Sequence, residues 1–241
     1  MLITSLDNKK IKNYLKLKNK KYRDLEKLFL IEGEHLVEEA IKSNLLVDLL
    51  VLEDTSVDYD ISYTYVSLNV MKKLSNMESC PKTIGICKFL ETNHDLGDRV
   101  LLLDDIQDPG NLGTIIRSCL AFGINDIVLN TNSVDLYNDK VIRSSQGMIF
   151  KMNIIRCDLI SLINELKKED YLILGTNVND GCDVRLVDTN KYALIMGNEG
   201  AGVKSEISDL CDKNLYITMN ENCESLNVGV ATSILLYELN R

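Results

Sequence analysis

The 241-residue chain has no apolar run near the roughly 18 to 20 residues a membrane-crossing helix needs. Lysines interrupt the apolar residues at its start, so no leader peptide is expected, and the reading is a cytoplasmic protein with no membrane partner. Histidine is scarce: His35 and His94 lie far apart, and none of the seven cysteines has CxxC spacing. A zinc site is thereby disfavoured, and the cysteines read as reduced, mostly small core residues. The G-x-G-x-x-G fingerprint of dinucleotide binding is also missing. "IMGNEGAGVKS" (Ile195 to Ser205) tempts a phosphate-loop reading, because Gly197 and Gly202 have the right separation and Lys204 and Ser205 follow. Val203 intervenes, so the lysine starts from the wrong place, and Glu199 would put negative charge inside a cradle meant for phosphate.

What is present is a 45% hydrophobic chain of a length that fits one large domain or two small ones. The net charge of −9 argues at first against nucleic acid, but the first 23 residues carry eight Lys and Arg against one acid, Asp7. A solvated helix face is the commoner fate of such a run. A local basic patch with Tyr14 and Tyr22 interleaved still suits RNA on an acidic protein, with Lys18, Lys20, Lys21 and Arg23 as the candidate contacts.

Two blocks follow from the periodicity. Residues 1–92 alternate short strands ("LFLIEG", "VDLLVLE", "SYTYVS", "KTIGICKF") with a helix stripe in "EHLVEEAIKS" and form a small α/β module. "ETNHDLGD" (Glu91 to Asp98) has linker composition. In 98–241 the strands "VLLLDDI", "DIVLN", "FKMNIIR", "YLILGT", "YALIMG" and "NLYITM" are near-continuous apolar runs, as expected of a parallel sheet with helices on both faces. "SLNVGVATSILLYELN" reads as a final helix.

Three loops after such strands carry the polar residues, at the sheet edge where open parallel sheets bind ligands. In "DDIQDPGNLGTIIRSCLAFGI" (Asp104 to Ile124), Pro109 and Gly110 make a turn and Asn111 is placed as helix N-cap. Leu112, Ile115, Ile116, Cys119 and Leu120 form the core stripe, and Arg117 lies off it. The glycine-rich loop offers bare backbone amides and one carboxylate, Glu199, which suits a flat base with polar groups. In "NCESLNVGVATSILLYEL" (Asn222 to Leu239), Ser225 is placed to cap the helix, Leu226 to cover an apolar ligand surface and Asn227 to point into the same crevice. Gly229, Ala231, Thr232 and Ser233 are small enough for another helix to approach closely.

Taken in order, "DPGNLGTIIRS", "IMGNEGAGV" and "ESLNVGVATSILLYE" resemble the three motifs of the SpoU/TrmH family of RNA 2′-O-ribose methyltransferases. "ITSLDNKKIK", "KYR" and "FLIEGEHLVEEAI" resemble the substrate-binding domain that precedes the catalytic domain in many members. Two positions depart from the common pattern, Asn198 and Gly229, where serine is frequent. The resemblance implies a C-terminal trefoil-knotted parallel sheet flanked by helices, behind a small α/β substrate-binding domain. It implies S-adenosylmethionine as the cofactor, an RNA substrate (ribosomal before transfer RNA), a homodimer through the knotted domain and no metal. It places Arg117, Asn111 and Glu199 at the reaction, Glu199 orienting Arg117 or Asn111 or both. It places Thr176, Gly197, Ile217, Met219, Ser225, Leu226 and Asn227 at the cofactor. Two rival readings are an RNA-binding assembly factor without activity and a nucleotide hydrolase using the glycine loop.

Overall fold

The computed structural model describes residues 2–178 and 181–241. The chain forms two compact units. One is Met1–Leu90 with Asp135–Phe150, and the other is Glu91–Val134 with Lys151–Arg241. The segment 135–150, which the sequence places within 98–241, thus groups with the first unit.

The first unit begins with β1 (Leu2–Ile3), α1 (Lys9–Lys16), α2 (Lys20–Glu26), β2 (Leu28–Glu32), α3 (Glu34–Lys42), β3 (Leu46–Leu52), β4 (Thr64–Val66), α4 (Leu68–Leu74) and β5 (Thr83–Lys88). The five strands form one sheet in the order β1-β4-β3-β5-β2, with β5 antiparallel to both neighbours. Strand alternation decides the core: Leu50, Val66, Ile84 and Ile86 point to one face and pack with Ile11 and Leu17 and with Val70, Met71 and Leu74 of α4. Each such fully buried aliphatic side chain contributes about 1.5–3 kcal/mol of burial free energy. On β5, Gly85 leaves room for its neighbours, since a Cβ there would meet Leu46 Cδ1 at 2.7 Å and Ile31 Cγ1 at 2.8 Å.

The second unit starts with β6 (Arg99–Leu103), α5 (Pro109–Ala121) and β7 (Asp126–Leu129). After α6 (Asp139–Ser145), which belongs to the first unit, come β8 (Asn153–Arg156), α7 (Leu159–Lys168), β9 (Leu172–Thr176), β10 (Cys182–Asp183), β11 (Tyr192–Met196), α8 (Ser205–Ser208), β12 (Lys213–Tyr216) and α9 (Val228–Leu239). Seven strands form a parallel sheet in the order β10-β12-β9-β11-β6-β7-β8. The central strands β6 and β11 are buried almost throughout, which explains their unbroken apolar runs. α7 and α8 cover one face through Leu159, Ile163, Leu166 and Ile207. α5 and α9 pack against each other, with Ser118 and Ser233 hydroxyls 2.7 Å apart and Gly229 admitting Thr114, to which a Cβ would lie 3.1 Å away.

Three expectations change. The segment "FKMNIIR" is extended only from Asn153, because a 3-10 turn occupies Met148–Lys151. Helix α5 starts earlier than expected: Asp108 is its N-cap, its Oδ1 accepting from the Asn111 amide at 2.8 Å, and Pro109 opens the helix. The ring fixes φ for the first helical position and lacks the N–H that would go unpaired there, so the cap falls before the proline. On α9 the cap is Asn227, not Ser225; the Asn227 Oδ1 accepts from the amides of Gly229 and Val230.

Candidate functional site

The loops after β6, β11 and β12 and the starts of two helices, α5 and α9, build the site. Glu199 sits in the loop after β11. Its carboxylate accepts from the Asn111 carboxamide at 3.0 Å, from the Asp108 amide at 3.1 Å and from the Gln107 amide at 3.2 Å. Burial alone would raise its pKa, but the Asn111 amide and the backbone donors together hold it below the usual value. Asn111 is freed from capping by Asp108 and spends both ends of its side chain here. Its nitrogen donates to Glu199 and its oxygen accepts from Asn227 Nδ2 at 2.8 Å. One continuous chain of hydrogen bonds therefore joins residues from all three motif loops.

The glycine loop owes its shape to its own contacts. Asn198 and Gly202 exchange backbone hydrogen bonds, both 3.0 Å, and the Asn198 side chain donates to the Asp105 carbonyl at 2.9 Å and accepts from the amides of Gly200 and Ala201. A Cβ on Gly197 would lie 2.1 Å from the carbonyl carbon of Gly202 and 2.2 Å from the Val203 nitrogen. Gly202 itself has φ +71, the left-handed region that glycine takes without strain. Lys204, the residue that suggested phosphate binding, is committed elsewhere. Its ammonium and its backbone amide bind the fully buried Asp104 carboxylate at 3.1 and 3.0 Å, and Asn130 donates to the same carboxylate at 2.9 Å.

Beside this network opens a cavity of about 340 Å³, within the usual range of small-molecule sites. Thr176, Gly197, Ile217, Met219, Ser225 and Leu226 line it, with Glu199 at its edge. The Thr176 hydroxyl is turned to the sheet, donating to the Ile195 carbonyl at 3.0 Å. No Lys or Arg belongs to the lining among the described residues. The walls also include Val178, Leu215 and Leu235, which sequence reading passed over. Leu235 lies two turns inside α9, and its apolar stripe signalled only core.

Not every candidate converges. Asn227 does not line the cavity; its carboxamide is consumed by the helix cap and by Asn111. Arg117 stands on the exposed side of α5, with no hydrogen-bond or ion-pair partner among the described residues, and within the chain Glu199 bonds Asn111. Of the four basic candidates in the first unit, Arg23 is corrected: it is buried, its Nη1 donates to the carbonyls of Leu17 and Lys18 and its Nη2 pairs with Asp135 at 2.5 Å. Its Nε is buried without a partner, so burial and the Asp135 pair keep this guanidinium from a phosphate in solvent. Lys18 is spent on the carbonyls of Lys73 and Ser75 at 2.9 and 3.0 Å, and burial lowers the pKa of its ammonium. Lys20 pairs with Asp24 one turn on, and Lys21 is exposed.

A cavity with no cationic wall among the described residues, lined by apolar side chains, glycines and one carboxylate, fits an adenosine that carries a positive centre. It does not fit a triphosphate. Comparison with known proteins agrees. The model of the SpoU rRNA Methylase family matches residues 98–237, and that of the MRM3-like substrate binding domain matches 8–85. The chain is 39% identical over 98% of both lengths to 23S rRNA (guanosine(2553)-2′-O)-methyltransferase RlmP of Bacillus subtilis. Among solved structures, an AdoMet-bound rRNA methyltransferase from Sinorhizobium meliloti superposes with TM-score 0.88 at 27% identity, covering 100% of this chain and 97% of that one. An RNA 2′-O ribose methyltransferase superposes with TM-score 0.86 at 27% identity, covering 99% of this chain and 98% of the other. The chain therefore belongs to the SpoU rRNA methylase family.

Proposed function

We propose that this enzyme methylates a ribose 2′-hydroxyl of 23S rRNA in the cytoplasm, at the guanosine corresponding to the one its Bacillus subtilis relative is named for. The family supplies the reaction, transfer of a methyl group from S-adenosylmethionine to an RNA ribose. The observation that carries the reading is the cavity lined by Gly197 and Leu226, which has no basic wall among the described residues and abuts the Glu199–Asn111–Asn227 hydrogen bonds.

S-adenosylmethionine, when bound, supplies an electrophilic methyl group on a sulfonium. Ile217, Met219 and Leu226 are the apolar walls for its adenosine part, and the amides around Gly197 are the hydrogen-bonding rim. The Glu199 carboxylate, kept ionised by its donors, adds negative potential at the mouth of the cavity. Asn111, locked from both ends, orients the substrate ribose through the backbone it fixes. A neutral hydroxyl is a poor nucleophile, so the growing charge on the ribose oxygen needs a cation. Arg117 fills that role, holding an RNA phosphate or the developing alkoxide. A guanidinium has no free acceptor at neutral pH, so the proton passes to RNA phosphate or water rather than to Arg117.

Arg117 works within its own chain or across a homodimer. Exposed apolar side chains support the dimer reading: Val230 and Tyr237 on α9 are 47% and 50% exposed, and Leu186 nearby in the chain's second unit is 76% exposed. Among the described residues no helix is long and apolar enough to cross a membrane.

The test is transfer of labelled methyl from S-adenosylmethionine to ribosomal RNA from cells lacking the protein, followed by mapping of the modified ribose. Label on a 23S guanosine ribose is expected. Label confined to transfer RNA, or RNA binding with no label, would replace this reading by one of its rivals.

The Asp104–Lys204 pair supports the cofactor loop, and breaking it tests that. Lys204→Met leaves a fully buried carboxylate with one donor fewer. The dissociation constant for S-adenosylmethionine, measured by calorimetry, is expected to rise at least about fivefold, with Lys204→Arg recovering most of the loss.

A further inference from the structure

The first unit sorts its charge by sheet face. On the face where Ile84 and Ile86 point, α1 and α4 pack side by side. Their outer surfaces present Lys9, Lys12 and Lys16 from α1 and Lys72 and Lys73 from α4, all exposed. α3 buries Leu36, Val37 and Ala40 apart from that cluster and carries Glu34, Glu38 and Glu39, with its one lysine, Lys42, paired to Glu39 at 2.8 Å.

Partners separate the lysines further. Lys12 pairs with Asp7 at 2.8 Å, and Lys82 lies 3.9 Å from Glu34. Lys9, Lys16, Lys72 and Lys73 have no carboxylate partner among the described residues, and Lys16 lies over the Tyr22 ring at 5.8 Å. Lys18 has a different task. Its ammonium sits on the carbonyls at the end of α4, the negative end of that helix, and so ties the exit of α1 to α4 beside Lys73.

We propose that the α1–α4 face seats the phosphate backbone of the RNA substrate, with Lys9, Lys16, Lys72 and Lys73 as the phosphate contacts and Lys18 as the strut that keeps the two helices in register. Lys72 and Lys73 lie about fifty residues beyond the basic N-terminal run and join it only through the fold. Unpaired ammonium groups on long stems, in water and without a competing carboxylate, are what counterion release from a polyanion requires. α1 exposes no large apolar side chain and α4 exposes only Leu68 at its first position, whereas a helix that lies on a lipid surface needs a continuous apolar face to insert.

This rests on the reading of the protein as an RNA methyltransferase, and one experiment separates the two. Wild type, Lys72→Gln/Lys73→Gln and Lys82→Gln, all full length, are titrated with 23S rRNA transcribed in vitro between about 50 and 200 mM salt. The substituted side chains are exposed, so the fold is kept. The double variant is expected to lose about 1.5 to 2 units from the slope of log affinity against log salt, while Lys82→Gln keeps the wild-type slope. An unchanged slope in the double variant overturns the docking surface, as does tighter binding of wild type to phosphatidylglycerol vesicles than to the transcript. The same transcript incubated with wild type and labelled S-adenosylmethionine tests the other reading: absence of label overturns the methyltransferase assignment and leaves the slope comparison standing.

Discussion

Arg117→Ala retains its affinity for S-adenosylmethionine and loses methyl transfer by tenfold or more; this is the expected result for a residue that serves the reaction and not the fold. The side chain is exposed on α5 and has no partner among the described residues, so its removal leaves no buried group unpaired and stability stays within about 0.5 kcal/mol. It is not part of the cavity wall, so the cofactor's dissociation constant is unchanged. A cation placed against charge that develops in the transition state is worth about 2.7–4 kcal/mol, a factor of about 10² to 10³ in turnover. Single-turnover transfer to RNA and calorimetric cofactor binding, measured on one preparation, decide it. Full turnover in the variant would remove Arg117 from the mechanism.

Gly197→Ala produces the opposite pattern, with cofactor binding lost before anything else. An added methyl would sit 2.1 Å from the Gly202 carbonyl carbon and 2.2 Å from the Val203 nitrogen. Both are backbone atoms, so no rotamer relieves the clash and the two strands of the loop must part. That breaks the Asn198–Gly202 hydrogen bonds and moves Glu199 away from Asn111. Two backbone hydrogen bonds at about 0.5–1.5 kcal/mol each are lost, so the dissociation constant for S-adenosylmethionine is expected to rise by about tenfold or more. Gly200→Ala is the control: its nearest neighbour would be the Asn198 Oδ1 at 3.7 Å, an ordinary contact. Equal binding by the Gly197 and Gly200 variants would show that the loop does not shape the cavity.

Much of this was legible in residues alone. The runs "VLLLDDI" and "YALIMG" foretold the buried parallel strands β6 and β11 because a strand covered on both faces has no polar side to alternate with. Spacing placed Leu112, Ile115, Ile116 and Cys119 on the core side of α5 and left Arg117 outside. What local pattern could not supply depends on partners distant in sequence. The order of the seven strands is such a property, which neither periodicity nor the family resemblance supplied, and a knot leaves no trace in periodicity and is expected only through that resemblance. Arg23 looks like its lysine neighbours in the sequence, yet Asp135, more than a hundred residues on, takes it out of the solvent. Asn caps well, which makes Asn111 a cap candidate, but Asp108 caps one turn earlier by accepting from the Asn111 amide, and Pro109 settles the start of the helix. The two-residue strand β10 is too short for any alternation to register.

The bonds that tie Asn111 to Glu199 and to Asn227 span 88 and 116 residues of chain, and the last of them reaches a residue only two turns of sequence before the final helix is half complete. A chain clipped before residue 227 loses the partner of the Asn111 carboxamide oxygen together with the Leu235 wall of the cavity, so the catalytic latch and the cofactor pocket stand or fall as one piece.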